Sequence, residues 1–239
     1  MSTLLVERHE PGVLRLTLAR PERGNALDAA LAEALLQQVQ AACDDATLHT
    51  LVLAGQGRHF CTGLDLSDLE TTSDGELLWR LVRIETLLST LWHAPLRTVA
   101  VAHGRTWGAG ADLFTACEER VALGDATFRF PGARFGIVLG TRRLAERIGR
   151  DAARSVVIEG RELDAPAALA LGLANATAER SAAPVVGGAT ARAIRAATQR
   201  AAGGPEQDDA DMADLVRSAA RPGLRERIAA YRASLQRPA

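Results

Sequence analysis

The strongest constraint on the fold comes from residues 99–123, with the sequence VAVAHGRTWGAGADLFTACEERVAL. An apolar run with β-branched residues at 98–102 predicts a strand. Glycines follow it, at Gly104, Gly108 and Gly110. Residues 111–118 then show a helical pattern. The segment therefore predicts a strand, a tight glycine turn and the start of a helix.

A turn of this kind is suited to negative charge. The first turn of a helix has backbone N–H groups without a partner inside the helix, and it carries the positive end of the helix dipole. Glycines let a ligand approach that backbone closely, so an anion or a developing oxyanion can bind there. Asp112, just inside the helix, fits two roles. It is either a catalytic acid beside the turn or an ordinary residue that complements the dipole.

Strands and helices alternate over the N-terminal three quarters of the chain. The sequence predicts strands over residues 14–18, 49–54 and 126–130. It predicts helices over residues 26–43, 76–92 and 141–148, the last capped by Thr141, and one from Asp164 to Gly172. Residues 181–239 are helical in pattern, with breaks at 203–205 and 222–223. We place a domain boundary near residue 185.

Charge and cysteine content argue against several classes of function. The 239 residues include 28 basic and 29 acidic ones, which gives no reason to expect nucleic acid or a membrane as partner. The three cysteines lack paired spacing and the five histidines lack zinc-ligand spacing. The N-terminus has no secretory-signal pattern, and no uncharged run is long enough to span a bilayer. We expect a cytoplasmic protein without a metal site.

Common catalytic motifs are absent from the sequence. It contains neither the GxSxG elbow of α/β-hydrolases nor the GxxxxGK[ST] of P-loop proteins. The dinucleotide fingerprint lacks its third glycine, because Leu113 stands there. Two glycine-bearing strand ends remain, at residues 63–64 and 108–110. If they face one another, they can supply two convergent N–H donors.

Residues 55–66 have the sequence GQGRHFCTGLDL, and residues 20–27 have the sequence RPERGNAL. They resemble the motifs GxGxxFCAGxDL and RPxxxNAL of the crotonase, or enoyl-CoA hydratase/isomerase, superfamily. Residues 104–118 resemble GxxxGGGxELxxxCD, and residues 131–144 resemble a later PExxxG and GTQRL segment. The motifs occur in the right order and spacing over roughly residues 5–180. Each motif alone is of moderate specificity, and the four together are strong.

The resemblance implies an α/β fold in which ββα units form a crotonase-like (ClpP/crotonase) spiral. Residues 1–185 would form the spiral core that binds a CoA thioester, and residues 186–239 a C-terminal helical region for capping and oligomerisation. The resemblance also implies a homotrimer or a dimer of trimers. Coenzyme A enters as part of the acyl-CoA substrate, with no separate cofactor.

The resemblance also assigns site residues. The family's two oxyanion donors fall on the backbone N–H groups of Leu64 and Ala109, and one acid–base carboxylate falls on Asp112. Substrate contacts fall on Arg23, Asn25, Ala26, Cys61, Gly63, Leu64, Asp65, Leu66, Gly108, Ala109 and Gly132. Core packing is the more common role for side chains such as those of Phe60, Cys61 and Leu66.

The sequence departs from the family where hydratases carry two glutamates. One of these positions is Asp112 and the other is Gly132, which has no side chain. Three residues of the family's PGxGG loop are missing between Gly136 and Gly140. Efficient hydration is therefore in doubt, because water addition needs one group to activate water and one to deliver a proton.

Other side chains could compensate for these changes. Candidate carboxylates are Asp68, Glu70 and Glu85, although solvated helix faces suit them better. Arg105 and Arg134 could hold a substrate carboxylate, but surface or intersubunit salt bridges are the more common role. Trp107 could narrow the acyl pocket or pack in the core.

Three functions remain open at this point. The leading one is an enoyl-CoA hydratase/isomerase type of enzyme with an oxyanion hole and Asp112 as the acid–base residue. A second is an acyl-CoA-binding protein without catalysis, which Gly132 keeps open. A third is an isomerase or decarboxylase of the same superfamily, because a single base can move a double bond.

Overall fold

Strands and helices alternate up to about residue 172, and among the described residues after it the named elements are all helices. The computed structural model describes residues 2–180, 183–201 and 205–235. Its strands are β1 (Leu4–Glu10), β2 (Val13–Leu18), β3 (Thr50–Gly55), β4 (Arg97–Ala102), β5 (Arg105–Trp107), β6 (Glu119–Ala122), β7 (Thr127–Arg129) and β8 (Leu163–Asp164). Its α-helices are α1 (Ala29–Asp44), α2 (Asp74–Trp92), α3 (Ala109–Ala116), α4 (Thr141–Ile148), α5 (Arg150–Ile158), α6 (Ala165–Leu171), α7 (Gly188–Ala201), α8 (Pro205–Ala219) and α9 (Leu224–Ser234).

The strands form two sheets. The larger has the order β1-β2-β3-β4-β6, in which β1 and β2 are antiparallel and the remaining pairs are parallel. The smaller has the order β5-β7-β8. Because β4 and β5 are separated by only two residues, the chain passes directly from one sheet to the other. The glycine turn at Gly108 begins where β5 ends, at Trp107.

Two amphipathic helices cover the larger sheet, as the spacing of their apolar residues predicts. In α1, Leu31, Leu35 and Val39 are fully buried. In α2, the predicted inward positions are all buried, at Leu77, Leu81, Ile84, Leu88 and Leu91. The two helices contact each other, and residues of both share one apolar core with the larger sheet.

Side chains that cap the helices define where they begin. Ser73 and Glu76 form a reciprocal capping box at the start of α2. Asp28 accepts a hydrogen bond from the Leu31 amide, so α1 begins at Ala29 rather than at residue 26. The prediction that Thr141 caps α4 is wrong. Gly140 occupies the N-cap with φ +66°, and Thr141 is the first helical residue.

Several short elements differ from the sequence prediction. Helix α3 begins two residues earlier than predicted and ends at Ala116. Strands β1, β5, β6 and β8 and helix α5 were not predicted. The predicted break at residues 203–205 includes Gly203 and Gly204, which lie outside the described residues. The break at residues 222–223 separates α8 from α9.

The C-terminal helices pack back onto the first part of the chain. Leu215 of α8 and Leu224 and Ile228 of α9 form an apolar cluster with Leu77 and Leu81 of α2. The division near residue 185 stays a prediction, since a shared cluster neither supports nor excludes it. Within the described part of the chain, no helix has the length and apolar character needed to cross a membrane.

Candidate active site

The two glycine turns singled out in the sequence lie in contact. Gly63 has φ +100° and Gly108 has φ +54°, conformations that favour glycine. A Cβ atom on Gly63 would lie 2.9 Å from the Trp107 carbonyl oxygen and 3.4 Å from the Ala109 nitrogen. A side chain at residue 63 would therefore collide with the other turn, and glycine permits the close approach.

Hydrogen bonds fix the direction of the first turn. The Leu27 amide donates to the Gly63 carbonyl at 2.7 Å, and the Asp65 amide donates to the Leu27 carbonyl at 2.9 Å. Amides of successive extended residues point to opposite sides. The Leu64 amide between them therefore points away from Leu27, and no described residue accepts a hydrogen bond from it.

The second turn begins α3 and is fixed just as closely. The Gly108 amide donates to the Arg129 carbonyl at 2.8 Å, and the Asp112 amide donates to the Gly108 carbonyl at 3.0 Å. Ala109 is the first residue of α3, and no described residue accepts from its N–H. A Cβ atom on Gly110 would lie 2.2 Å from the Cys61 carbonyl oxygen, so the helix start is pressed against the neighbouring segment.

Asp112 lies one turn further along α3, almost fully buried. Only 6% of the residue is exposed, and its Oδ1 atom has no hydrogen-bond partner among the described residues. A Cβ atom on Gly140 would lie 2.3 Å from this Oδ1, so the carboxyl group rests against the start of α4. Burial, with a smaller contribution from the charge of Glu85, raises the pKa of Asp112 well above its ordinary value.

A cavity of about 190 Å³ joins these groups. Its wall includes both glycine turns, Asp112 and Gly132. The remaining wall is mostly apolar, and Asp112 is its only carboxyl group among the described residues. A larger cleft of about 650 Å³ lies elsewhere, beside Trp92, Arg147 and α7, and holds none of the predicted site residues. The smaller cavity is therefore the candidate active site.

The structure divides the predicted substrate contacts into two groups. Those that line the cavity are Gly63, Leu64, Leu66, Gly108, Ala109 and Gly132. The others lie outside its wall, at Arg23, Asn25, Ala26, Cys61 and Asp65. Of these, Cys61 is fully buried in the core, which agrees with the core-packing role predicted for its side chain. Arg23 is exposed.

Asn25 and Asp65 hold the loops around the site together. Asn25 has φ +55° and is fully buried. Its Oδ1 accepts from the Arg20 amide, and its Nδ2 donates to the carbonyls of Gln56 and His59. Asp65 pairs with Arg20 at 2.8 Å and accepts from the Ser67 amide. Both side chains therefore bond to neighbouring loops of the protein.

The candidate replacement carboxylates lie outside the cavity wall. The prediction of a solvated Glu85 is wrong: 1% of the residue is exposed, and it accepts from Arg143 at 2.5 and 3.1 Å. Burial acts to lower the pKa of Arg143, but the hydrogen bonds to Glu85 and nearby acidic charges outweigh it and the pKa is raised. Asp68 and Glu70 are exposed, and Asp68 pairs with Arg80 at 2.5 Å.

Aromatic side chains and arginines border the cavity. Trp107 forms part of its wall, with the Arg105 guanidinium 4.7 Å from its ring centre. Arg134 lies 5.6 Å from the ring centre of Tyr231. Tyr231 of α9 is a wall residue that the sequence did not identify as part of the site. Residues 226–238, which include Tyr231, loosely resemble the family's C-terminal segment, and this resemblance is the signal that could have pointed to it.

Comparison with known proteins agrees with the motifs. The sequence profile described as "Enoyl-CoA hydratase/isomerase" matches residues 8–206. The chain is 36% identical over 166 residues to "Probable enoyl-CoA hydratase echA6" of Mycobacterium tuberculosis. The matched stretch covers 68% of this chain and 66% of that protein. It is 33% identical over 181 residues to 2,3-dehydroadipyl-CoA hydratase of Escherichia coli, covering 72% and 68%.

Solved structures support the same assignment. A Bordetella parapertussis structure described as an enoyl-CoA hydratase/isomerase is 43% identical, with a TM-score of 0.87 and 99% of both chains covered. An enoyl-CoA hydratase from Bacillus halodurans, at 24% identity, has a TM-score of 0.80 and shows the fold alone. The predicted crotonase-like α/β fold is confirmed. The chain belongs to the enoyl-CoA hydratase/isomerase family of the crotonase superfamily.

Proposed function

We propose that this protein is an acyl-CoA enzyme that stabilises a thioester enolate with the backbone amides of Leu64 and Ala109. The contact between the two glycine turns carries this proposal. Both amides are without a protein acceptor among the described residues, and both residues line the same cavity. One donor of this kind typically lowers a reaction barrier by about 3 kcal/mol, because it is already oriented when charge develops on the oxygen.

Asp112 is the acid–base group of this proposal. A group that takes and then returns a proton works best when its pKa lies near the operating pH. Burial moves the pKa of Asp112 in that direction. In its ionised form, Asp112 removes a proton from the acyl chain, and the electron pair moves to the thioester oxygen. The same carboxyl then returns the proton to a different carbon, which shifts the double bond.

A single carboxyl suits isomerisation better than hydration. Addition of water across a double bond needs one group to remove a proton from water and another to protonate the adjacent carbon. Gly132 has no side chain, and Asp112 is the only carboxyl in the described cavity wall. The protein therefore shifts double bonds readily and hydrates them slowly. The missing carboxyl group at Gly132 also favours a second candidate function, acyl-CoA binding without turnover.

Other parts of the proposal rest on the chain's family membership and not on the geometry of the site. We propose that coenzyme A of the substrate is the only nucleotide the reaction needs and that no metal is involved. We also propose a homotrimer or a dimer of trimers that acts in the cytoplasm, in fatty-acid metabolism.

The Ala109→Pro variant tests the oxyanion hole. Proline removes the N–H group of residue 109, and it is tolerated at the first position of a helix, which Ala109 occupies. Ala109→Gly is the matched control, because it keeps the N–H. Turnover of 2-enoyl and 3-enoyl thioesters is followed by the absorbance of the conjugated thioester. We expect Ala109→Pro to lower kcat about 100- to 1,000-fold and Ala109→Gly to stay within about threefold of the parent.

The outcomes separate the candidate functions. Equal activity of Ala109→Pro and Ala109→Gly would show that the Ala109 amide takes no part in the mechanism. Acyl-CoA binding without turnover of enoyl or malonyl-type thioesters would contradict the enzyme hypothesis and support an acyl-CoA-binding protein. Decarboxylation of a malonyl-type thioester without any double-bond shift would favour a decarboxylase.

A further inference from the structure

We infer that Glu85 and Arg143 are positioning residues for Asp112 and that helix α8 supports them. Their buried ion pair fixes the first turn of α4, against which the Asp112 carboxyl rests, and so sets where that carboxyl lies in the cavity. This inference rests on the proposed function, because it concerns how the proposed acid–base group is held. Both side chains lie outside the cavity wall, so they act on a substrate only through Asp112.

The start of α4 is the surface against which Asp112 is held. Gly140 is the N-cap of α4, and a Cβ atom there would lie 2.3 Å from Oδ1 of Asp112. The Gly140 carbonyl accepts from the Leu144 amide at 3.0 Å, so Gly140 is bonded to the first turn of the helix. A displacement of that turn would therefore move the atoms that touch the carboxyl.

Arg143, in the same turn, ties α4 to α2. Its guanidinium donates to both carboxylate oxygens of Glu85, at 2.5 and 3.1 Å. Two parallel hydrogen bonds hold an arginine and a carboxylate in one relative orientation. Both side chains are at most 2% exposed, so water screens the pair little and its charges act over a longer range than they would at the surface. The pair can therefore fix the turn and also influence a carboxyl nearby.

Helix α8 holds the same turn from another side. Asp211 accepts from Arg142 at 2.9 Å and lies 3.6 Å from Arg143. Asp208 also accepts from Arg142, at 2.9 Å. Adjacent arginines of α4 are thus bonded to one carboxylate of α2 and to two of α8. Three helices that are distant in sequence meet at the turn that contacts Asp112.

The protonation of Asp112 depends on the same pair. Its Oδ1 has no hydrogen-bond partner among the described residues, so burial and nearby charges govern how easily it ionises. After burial, the charge of Glu85 contributes most to raising the pKa of Asp112, and Arg143 acts in the opposite direction. Arg97 of β4 and Arg105 of β5, on strands that also pack against α3, are held by a carboxylate and by an indole ring. The pair that fixes the turn therefore also influences the charge of the carboxyl.

Proton transfer is sensitive to small displacements of the group that performs it. The carboxyl must lie within hydrogen-bond reach of the proton that it removes, and a misplacement of about 1 Å can cost about 100-fold in rate. The side chain of Asp112 is short, so its reach depends on where the surrounding turn holds it. The bonded network at the start of α4 supplies this restraint.

The titration of Asp112 tests the inference without turnover. Carboxyl ¹³C NMR of aspartate-labelled protein follows its protonation, and Asp112→Asn assigns the signal. We expect Glu85→Gln to lower the pKa of Asp112, because it removes a negative charge and leaves the positive charge of Arg143. Asp68→Asn is the matched control. It breaks a more exposed ion pair, with Arg80 of α2, and should leave the pKa of Asp112 unchanged.

A double variant tests positioning without leaving an unpaired charge. Glu85→Met combined with Arg143→Met replaces the pair by apolar side chains, a change that is often neutral for stability. We expect kcat of the double-bond shift to fall at least about tenfold and KM to stay within about threefold of the parent, since neither side chain lines the cavity. The pKa of Asp112 should fall less than in Glu85→Gln, because the two charges act in opposite directions. Circular dichroism confirms that each variant is folded.

Asp211→Asn tests the contribution of α8. It keeps the bonds between Glu85 and Arg143 and weakens those from Arg142 to α8. We expect its kcat to lie between those of the parent and the double variant, with KM unchanged. A kcat equal to that of the parent would show that α8 takes no part in holding Asp112.

The remaining outcomes decide the role of the pair. An unchanged kcat in the folded double variant would overturn the positioning role, and an unchanged pKa of Asp112 in Glu85→Gln would overturn the influence on its charge. If Glu85→Gln does not fold, the titration and kcat of the double variant decide both points. If the parent turns over no enoyl thioester, the proposed function fails, and the titration still shows whether the pair acts on Asp112.

Discussion

Gly132→Glu should speed hydration by the proposed enzyme. The backbone of Gly132 lies outside the left-handed region, so a side chain is not strained there. A Cβ atom would lie 3.5 Å from the Ile137 carbonyl oxygen and 3.7 Å from its Cβ, which are ordinary contacts. The added carboxyl would enter the cavity that already holds Asp112.

The expected gain follows from what the site lacks. A positioned general acid or base typically contributes about 100- to 10,000-fold to a rate. Even the lower value corresponds to about 2.7 kcal/mol in the activation free energy. Two carboxyl groups in one cavity also raise each other's pKa, so that one is protonated while the other is ionised. That division supplies the acid and the base that water addition needs.

The assay follows the loss of conjugated thioester absorbance when water adds to 2-hexenoyl-CoA. Gly132→Gln is the matched control, because glutamine has nearly the shape of glutamic acid and transfers no proton. The Kd of hexanoyl-CoA is measured for both variants to confirm that the site still binds. We expect hydration by Gly132→Glu to exceed that of the parent and of Gly132→Gln at least about 100-fold.

Two results would refute this reasoning. If Gly132→Gln gains as much as Gly132→Glu, the effect comes from shape and not from proton transfer. If Gly132→Glu binds hexanoyl-CoA like the parent and hydrates no faster, the missing carboxyl is not what limits hydration.

Further predictions concern stability and are checked by urea denaturation. Because burial raises the pKa of Asp112, the stability that this one group contributes is lost as the pH rises above 3.8. Asp112→Asn should therefore gain stability relative to the parent as the pH rises above that value, with the two converging at lower pH, and a pH-independent difference would contradict this. Gly110→Ala should cost about 1–3 kcal/mol, since its Cβ collides with a backbone carbonyl, while Gly124→Ala, in open space, should be neutral or slightly stabilising. Arg143→Ala should cost about 3–5 kcal/mol by leaving Glu85 buried and unpaired, and a loss under 1 kcal/mol would be inconsistent with that pair.

The long elements were predictable because their apolar residues repeat over several turns. Helices α1 and α2 and strands β2, β3 and β4 lie close to their predicted positions. Strands β5, β6 and β8 have only two to four residues, which is too short for a repeat to be visible. Strand β7 is as short, and it was predicted because Pro131 and Gly132 close its segment. Strand β1 has Val6 exposed at 47%, and the alternation that identifies a half-buried strand is weak there.

The site was predictable where it depends on the backbone. Positive φ angles and close approaches require glycine, so Gly63 and Gly108 were visible in the sequence as turns. Side-chain partners were not visible, because a sequence pattern does not show which distant groups meet. Glu85 is polar on an amphipathic helix, and only its contact with Arg143, 58 residues away, explains its burial. Tyr231 reaches the cavity from the last helix, and only a loose resemblance of residues 226–238 to the family's C-terminal segment pointed to it.

The proposed chemistry therefore has two parts. The backbone donors cannot easily be altered by substitution, whereas the side chain at residue 132 already differs from the family pattern. The proposed oxyanion donors, the amides of Leu64 and Ala109, depend on contacts such as that between Gly110 and the Cys61 carbonyl, where even one added methyl group collides. Gly132, in contrast, has ordinary space around it, so its missing side chain reflects no steric demand of the fold. Under this proposal, the backbone donors allow the enolate to form. The groups at residues 112 and 132 then decide whether the enolate goes on to hydration or to isomerisation. Substitutions in the first part should abolish all reactions together, and substitutions at residue 132 should change the ratio of hydration to isomerisation. Measuring both reactions on each variant tests this division directly.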